Sequence, residues 1–192
     1  MQNPLQTVRG RLELAIETGD VEHVAEALPS LERMDQLIDD VADALESGTI
    51  VGEHQEIDIG AVAQTTWESL DRYSDTESLE IDGAPSVYGN EEAVRRMFDN
   101  LLGNSLEHGE SPVTVTVGSF DDGIYVEDNG PGIPEGNREQ VFEQGFTTKD
   151  HNGGTGMGMA SVRQIVLAHD WRIEISESET LGGVRFEITT RE

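Results

Sequence analysis

The chain has 192 residues, of which 39 are acidic and 12 are basic, so its formal net charge at pH 7 is −27. This charge argues against general binding to nucleic acids or anionic membranes, because their phosphates would repel it. The sequence has no cysteine, which excludes disulfides and thiolate chemistry, and no apolar run approaches the ~18 residues that span a bilayer.

The N-terminal part is predicted to be a helical hairpin over residues 1–47, because its apolar residues recur at spacings of three and four. Gly19 suits a helix C-cap and Asp20 the next N-cap, whereas Pro29 should kink the second helix. Two helices cannot enclose a core, so we expect them to dock on the rest of the chain or, preferably, to form a four-helix bundle with a second copy. The first apolar stripe is Leu5, Val8, Leu12 and Ile16, and the second runs from Val21 to Leu45.

A linker is predicted over residues 48–56, which are mostly polar and contain two glycines, and a second domain over residues 57–192. In that domain helix and strand patterns alternate. We predict helices over 59–73, 90–108 and 156–169, and strands over 79–81, 87–88, 113–117, 124–127, 171–176 and 184–189. The first two strands lie on either side of an Asp82-Gly83 turn. The long glycine-rich loop over 129–154 indicates function or disorder.

Two polar segments are candidates for ligand binding. Asn100 and Asn104 are four residues apart on one predicted helix, so their amide oxygens can share a target such as Mg²⁺; paired asparagines are otherwise solvated or capping residues. Asp128 ends a predicted strand, where a carboxylate can accept a hydrogen bond from an exocyclic amine. Gly130 and Gly132 would let a flat ring approach the backbone, although an ordinary turn also uses these residue types.

The second pair of segments lies in and after the long loop. Lys149, the only lysine of the chain, and the free N–H groups of the following helix N-terminus predict an anion site. A flexible loop is the alternative. Phe142 and Phe146 are candidates for pinning a lid, or for a small satellite of the core. Four glycines precede and open the helix: Gly153, Gly154, Gly156 and Gly158.

In this order, the four segments resemble the N, G1, F and G2 boxes of sensor histidine kinases, within the ATPase superfamily that includes type II topoisomerases, Hsp90 and MutL. The resemblance extends from Ile59 to the C-terminus. It implies an α+β fold, a two-layer α/β sandwich of the Bergerat ATP-binding type with a mixed sheet and helices on one face, preceded here by the helical hairpin. It implies ATP and Mg²⁺ as cofactors. It also implies a cytoplasmic location, alone or as part of a longer membrane-anchored sensor.

The resemblance assigns roles to single residues. It implies that Asp128 binds the adenine amine, that Asn104 holds Mg²⁺, that His108 lies beside the purine and that Lys149 approaches the phosphates. Two residues depart from the family pattern: Glu107 stands where a basic residue is frequent, and Val184 where a threonine often helps to bind the base. The other implied nucleotide contacts are Asn100, Gly130, Gly132, Gly154, Thr155, Gly156, Met157, Gly158 and Met159.

The N-terminal sequence Asn3-Pro4-Leu5 resembles the end of a kinase H box. Aligned in this way, the phospho-accepting histidine falls two residues before Met1, so we expect a piece of a longer kinase that cannot phosphorylate itself. Asn3 would then orient water for phosphatase activity. The hairpin would form the homodimer, and a response-regulator receiver domain would be the partner. The acid excess, in which salt would screen self-repulsion, is typical of a halophilic, haloarchaeal source; an acidic mesophile protein is the alternative.

The leading interpretation is therefore a protein-histidine kinase core, with Asn100, Lys149 and Asn3 as its catalytic residues. One alternative is a nucleotide-binding pseudokinase that serves only dimerisation. Another is an ATP hydrolase of the same superfamily, but such enzymes usually carry a glutamate at the position of Asn100 as a general base. Anti-sigma serine kinases share the ATP fold but generally lack the hairpin.

Overall fold

The computed structural model describes residues 4–25, 27–28, 30–31, 53–70, 76–109, 112–147 and 156–190. These residues belong to two compact units, one containing the N-terminal helices and the other an α+β domain. None of the helices within the described ranges is both long enough and apolar enough to cross a membrane.

The N-terminal unit contains two described helices, α1 (Pro4–Thr18) and α2 (Glu22–Ala25). The predicted C-cap is confirmed, because Gly19 has a φ of 71° and its N–H bonds the carbonyl of Ala15 at 2.9 Å. Of the predicted first stripe, Val8 is buried, whereas Leu5, Leu12 and Ile16 are exposed. Pro29 and the part of the second stripe beyond residue 31 lie outside the described residues.

The α+β unit carries the remaining elements. Its strands are β1 (Gln55–Asp58), β2 (Ser78–Asp82), β3 (Ser86–Gly89), β4 (Thr114–Phe120), β5 (Gly123–Asp128), β6 (Arg172–Glu177) and β7 (Val184–Thr189). Its helices are α3 (Ile59–Ser69), α4 (Glu91–His108) and α5 (Gly158–Ala168), with 3₁₀ turns at Glu135–Asn137 and Gln140–Phe142.

Five strands form one mixed sheet in the order β2-β4-β5-β7-β6, in which β2 runs parallel to β4 and the other neighbours are antiparallel. Val117 pairs with Val126, which pairs with Phe186, and these apolar residues face the helices in one continuous core. From α4 the core receives Phe98 and Leu101, both with no exposed surface. The expected two-layer sandwich with helices on one sheet face is confirmed.

Several predicted boundaries differ from the structure, two of them in the first elements of this unit. The helix predicted over 59–73 ends at Ser69, because Leu70 leaves the helical region with ψ at 36°; residues 71–75 lie outside the described ranges. Gln55 and Glu56, assigned to the linker, belong to β1, which pairs antiparallel with β3. The strand escaped prediction because it is polar and only Ile57 of its four residues is buried.

The two strands predicted beside the Asp82-Gly83 turn exist, and Gly83 has the positive φ of 64° that a turn favours. They do not pair with each other, since β2 belongs to the five-stranded sheet and β3 to a two-stranded one. Asn90 caps α4 as predicted, its side chain accepting the Ala93 N–H at 2.9 Å. Helix α5 begins at Gly158, two residues later than predicted.

Candidate functional site

Asp128 is the last residue of β5, as predicted, and only 5% of it is exposed. Its Oδ2 accepts a hydrogen bond from Ser105 Oγ at 2.7 Å. Its Oδ1 accepts the backbone N–H groups of Gly130 at 2.9 Å and of Val184 at 3.3 Å. A carboxylate has about four lone-pair positions, so three donors leave it roughly one further acceptor position.

Backbone surrounds this carboxylate closely. A Cβ on Gly183 would lie 2.3 Å from the Asp128 carbonyl oxygen and 2.5 Å from its Oδ1, so only glycine fits there. Gly132 has a φ of 70°, a backbone conformation that side chains rarely adopt, and Gly130 is held by the carboxylate itself. The glycines therefore leave a wall of bare backbone beside a buried acceptor.

Sequence reasoning missed three partners of Asp128, two of its carboxylate and one of its backbone carbonyl. Ser105 directly follows Asn104 on α4, Val184 begins β7, and Gly183 directly precedes it. Val184 was considered for its side chain, but the group that contacts Asp128 is its backbone N–H. Gly183 donates its N–H to the Asp128 carbonyl at 3.1 Å. The local signals available were a serine beside the paired asparagines and the Gly182-Gly183 pair.

Asn100 and Asn104 lie on successive turns of α4, and both are half-buried. The Asn100 amide nitrogen donates to the Arg96 carbonyl at 3.0 Å. Its oxygen faces the start of α5, where a Cβ on Gly158 would approach it to 2.7 Å. Asn100 thus lies against the first turn of α5, and the glycine allows the two helices this close approach.

Helix α5 begins after Met157, which makes no capping bond through its side chain. The first N–H groups of such a helix lack intrahelical partners and favour anions. Gly156 (φ 68°) accepts the Gly145 N–H through its carbonyl at 3.0 Å. A Cβ at Gly156 would lie 2.6 Å from the Phe146 carbonyl oxygen, so the two ends of the intervening segment lie together.

The remaining predicted residues are placed as follows. His108 is exposed in the last turn of α4, one turn beyond Asn104. Phe142 lies under the guanidinium of Arg163, whose Cζ is 5.8 Å from the ring centroid, and Met159 packs on the core. The residues that lie outside the described ranges are Asn3, Lys149, Gly153, Gly154 and Thr155.

The donor set fits a nucleotide-bound magnesium ion rather than a protein-enclosed metal. Across the described ranges, no group of three or more His, Cys, Asp or Glu side chains could hold a metal ion. Mg²⁺ at nucleotide sites is usually bound through one or two protein oxygens, with phosphates and waters completing the octahedron. Amide oxygens such as those of Asn104 and Asn100 suit that arrangement, and the Asn100 oxygen lies beside the N-terminus of α5.

Comparison with known families agrees with this geometry. Residues 89–192 match the model of the histidine kinase-, DNA gyrase B- and HSP90-like ATPases. The match covers more than half of the chain, from the end of β3 through the last four strands of the larger sheet and all the site elements described above. The chain belongs to this ATPase family.

Within the family, the similar proteins are sensor kinases. The two-component sensor PhoQ of Pseudomonas aeruginosa is 31% identical over 98% of this chain and 43% of its own length. The histidine-protein kinase/phosphatase MprB of Mycobacterium leprae is 29% identical over 93% of this chain and 38% of its own length. This chain is therefore similar to histidine kinase members of the family, and it spans about two fifths of the length of these relatives.

A solved structure shares the fold. The mycobacterial sensor histidine kinase MprB superposes with a TM-score of 0.63 at 26% identity, over 72% of this chain and 97% of the solved one. The expected Bergerat-type ATPase fold is thereby confirmed.

Proposed function

We propose that this chain binds Mg²⁺-ATP among α4, the loop after β5 and the start of α5, and transfers its γ-phosphate to a histidine for relay to a response-regulator aspartate. The observation that carries the proposal is the buried carboxylate of Asp128, which keeps one acceptor position beside a wall of glycine backbone. Family membership and the kinase relatives support ATP as the nucleotide.

Adenine recognition follows from the chemistry of that carboxylate. The exocyclic amine of adenine donates to Asp128 Oδ2, on the side that Ser105 leaves free. The glycine backbone at Gly130 and Gly132 admits the flat ring, and His108 lies beside it. A base that presents an oxygen at this position would face the carboxylate with a second acceptor and bind less well.

Phosphate binding falls to the first turn of α5 and the glycine segment before it. The backbone of Gly156 to Met159 supplies N–H donors, and Gly154, Thr155 and Lys149 add further contacts from the preceding segment. Asn104, with Asn100, holds Mg²⁺ through amide oxygens; the ion neutralises phosphate charge. The role of the protein is positioning and electrostatics, which dominate phosphoryl transfer.

The transfer step forms a phosphorus–nitrogen bond to the acceptor imidazole and breaks the bond between the γ-phosphorus and the oxygen of ADP. Asn100 cannot take a proton, which favours transfer to histidine over hydrolysis by an activated water. None of the five histidines in the sequence lies in an H-box context, so the acceptor is a histidine supplied to this core, with Asn3 acting in dephosphorylation.

The exposed apolar residues of α1, with Ile16 83% exposed, support dimerisation through the helical hairpin.

Calorimetric titration of the full chain with ATP and with ADP, with and without Mg²⁺, tests the binding half. The buffer should contain about 1 M KCl, because screening reduces the self-repulsion of so acidic a chain. Saturable ATP binding that tightens with Mg²⁺ is expected. Asn104→Ala should remove the Mg²⁺ effect and leave binding of the base, whereas an unchanged Mg²⁺ effect would contradict the metal role.

Transfer is tested on the same chain with an H-box histidine added before Asn3 and radiolabelled ATP. Acid-labile label on that histidine, absent from a His→Gln version, is expected. ATP binding without label would favour a pseudokinase, and release of phosphate without label would favour a hydrolase.

A further inference from the structure

We infer that Ser178 is a positioning residue that acts on Asp128 through the turn between β6 and β7. The inference rests on the proposed adenine recognition and extends it to a residue outside the four motifs. The Ser178 hydroxyl bonds Glu127 rather than Asp128, so any effect on Asp128 is indirect. Its effect passes through the backbone that carries Gly183 and Val184.

Ser178 organises this turn with four hydrogen bonds, and only 2% of it is exposed. Its backbone N–H donates to the Gly183 carbonyl and its carbonyl accepts the Gly182 N–H, both at 2.9 Å. Its Oγ accepts the Leu181 N–H at 2.9 Å. The same Oγ donates to Glu127 Oε2, also at 2.9 Å. One hydroxyl thus closes the turn internally and ties it to the neighbouring strand β5.

Glu127 is unusual because it is a carboxylate that is only 3% exposed on the sheet face opposite the helices. A carboxylate buried there needs hydrogen-bond partners, since an unpaired buried carboxylate is costly. Arg185 supplies one, with Nη1 3.1 Å from Glu127 Oε2, and its Cζ lies 3.7 Å from the centroid of the Tyr125 ring. The Ser178 hydroxyl supplies the other. The Ser178 hydroxyl therefore satisfies part of the hydrogen-bonding need of a buried carboxylate.

Consecutive strand residues point to opposite faces, so Glu127 and Asp128 hold the end of β5 from both sides. On one side Ser178 bonds Glu127 and fixes the β6–β7 turn. On the other side that turn presents the Gly183 N–H to the Asp128 carbonyl at 3.1 Å and the Val184 N–H to its Oδ1 at 3.3 Å. Without the Ser178 hydroxyl, the turn loses its side-chain bond to Glu127 of β5. The Val184 N–H is then placed less firmly, and with it the angle of the Asp128 carboxylate towards the base.

The test separates base recognition from general binding by comparing two ligands on the full chain in about 1 M KCl. ATP uses the Asp128 acceptor, whereas purine riboside triphosphate has the same sugar and phosphates but lacks the 6-amino group. The wild-type chain should prefer ATP by about tenfold or more, as expected for a hydrogen bond to a charged acceptor. In Ser178→Ala this preference should fall to about threefold or less, with little change in the affinity for the purine analogue.

Ser178→Thr keeps the hydroxyl and should restore the preference for ATP. Ser119→Ala is the matched control, because the Ser119 hydroxyl also donates one hydrogen bond, to the Gly83 carbonyl at 2.7 Å, but lies on β4 outside the turn. It should keep the wild-type preference. Should Ser178→Ala not fold, Glu127→Gln weakens the same bond by removing its charge, and it should lower the preference in the same direction.

The outcomes are distinguishable. If the wild-type chain prefers ATP over the purine analogue and Ser178→Ala keeps the same preference, the positioning role is overturned. The proposed function is then unaffected. An equal loss of affinity for both ligands also overturns it, because a merely structural defect gives that result. A wild-type chain without preference between the ligands overturns the adenine assignment and, with it, this inference.

Discussion

At the scale of single residues, the site depends on how one carboxylate is satisfied. Asp128 collects a hydroxyl from α4 and backbone N–H groups from the loop after β5 and from the start of β7. These donors come from three segments that are far apart in the sequence. The carboxylate therefore connects these three segments. The direction of its one remaining acceptor position depends on all of them and not only on the loop after β5.

Asp128→Asn should lower ATP affinity by about tenfold or more. The amide nitrogen would face the adenine amine, and two hydrogen-bond donors cannot bond each other. The fold should persist, since Asn has the same shape and its oxygen can still accept the N–H groups of Gly130 and Val184. Titration calorimetry and circular dichroism measure the two effects. Asp121→Asn, the same change at an exposed turn position, should bind ATP like the wild type. Normal affinity in a folded Asp128→Asn variant would contradict the assignment to the base.

Much of this site could be predicted from the sequence, and the limit has a physical cause. Asp128 was placed at a strand end and Asn100 and Asn104 on one helix, because strand alternation and helical periodicity are local signals. Ser105 and Ser178 were not found as partners, since their contacts join residues 23 and 51 positions apart. Such pairs depend on sheet order and register, and a single sequence carries neither.

At the scale of elements, segments with a regular apolar periodicity were predicted correctly, and a polar segment without it was not. Helix α4 was predicted with its cap because its buried residues repeat regularly over 18 residues. Strand β1 was missed because it is polar and stabilised by pairing with β3. The end of α3 was placed too late, because an apolar residue such as Leu70 continues the helical pattern even where the backbone has left the helix.

His169 joins two elements of the α+β unit at the end of α5. Its Nδ1–H donates to the Ile165 carbonyl at 2.7 Å and its Nε2 accepts the Asn90 N–H at 3.0 Å, so the neutral ring satisfies both partners. Burial lowers the pKa of His169 from its ordinary value of 6.5 and the nearby His54 lowers it further, against the opposite effect of the Ile165 bond. Trp171 covers the ring, 4.5 Å between centroids.

The native state should therefore lose stability as the pH falls below about 6.5. Between that value and the lower pKa of the folded state, the unfolded chain binds a proton at His169 and the native chain does not. The urea midpoint measured at pH 7.5 and at pH 5.5 should drop more in the wild type than in His169→Gln, whose amide oxygen can still accept the Asn90 N–H. His108→Gln, which removes an exposed histidine, should behave like the wild type. Equal drops in wild type and His169→Gln would contradict the assignment.

At the scale of the whole molecule, the net charge of −27 opposes the compact state, since like charges are brought together on folding. Exposed ion pairs such as Arg9–Glu13 and Arg95–Asp99 reduce this repulsion between acidic side chains only slightly, because surface pairs are weak and screened. The cost is spread over many exposed carboxylates rather than concentrated at the site. Stability should therefore respond to ionic strength, whereas base recognition, which uses a buried carboxylate, should respond much less.

The free energy of unfolding should rise as KCl is increased from about 0.05 M to about 1 M, where the Debye length shortens to ~3 Å. Most of the rise should come below about 0.3 M, since the screening length changes most there. Urea unfolding at each salt concentration measures it. Choline chloride at equal ionic strength should give the same rise, because screening does not depend on the cation. A response to potassium alone would point to specific cation binding, and a flat profile would mean that self-repulsion does not limit the stability of this fold.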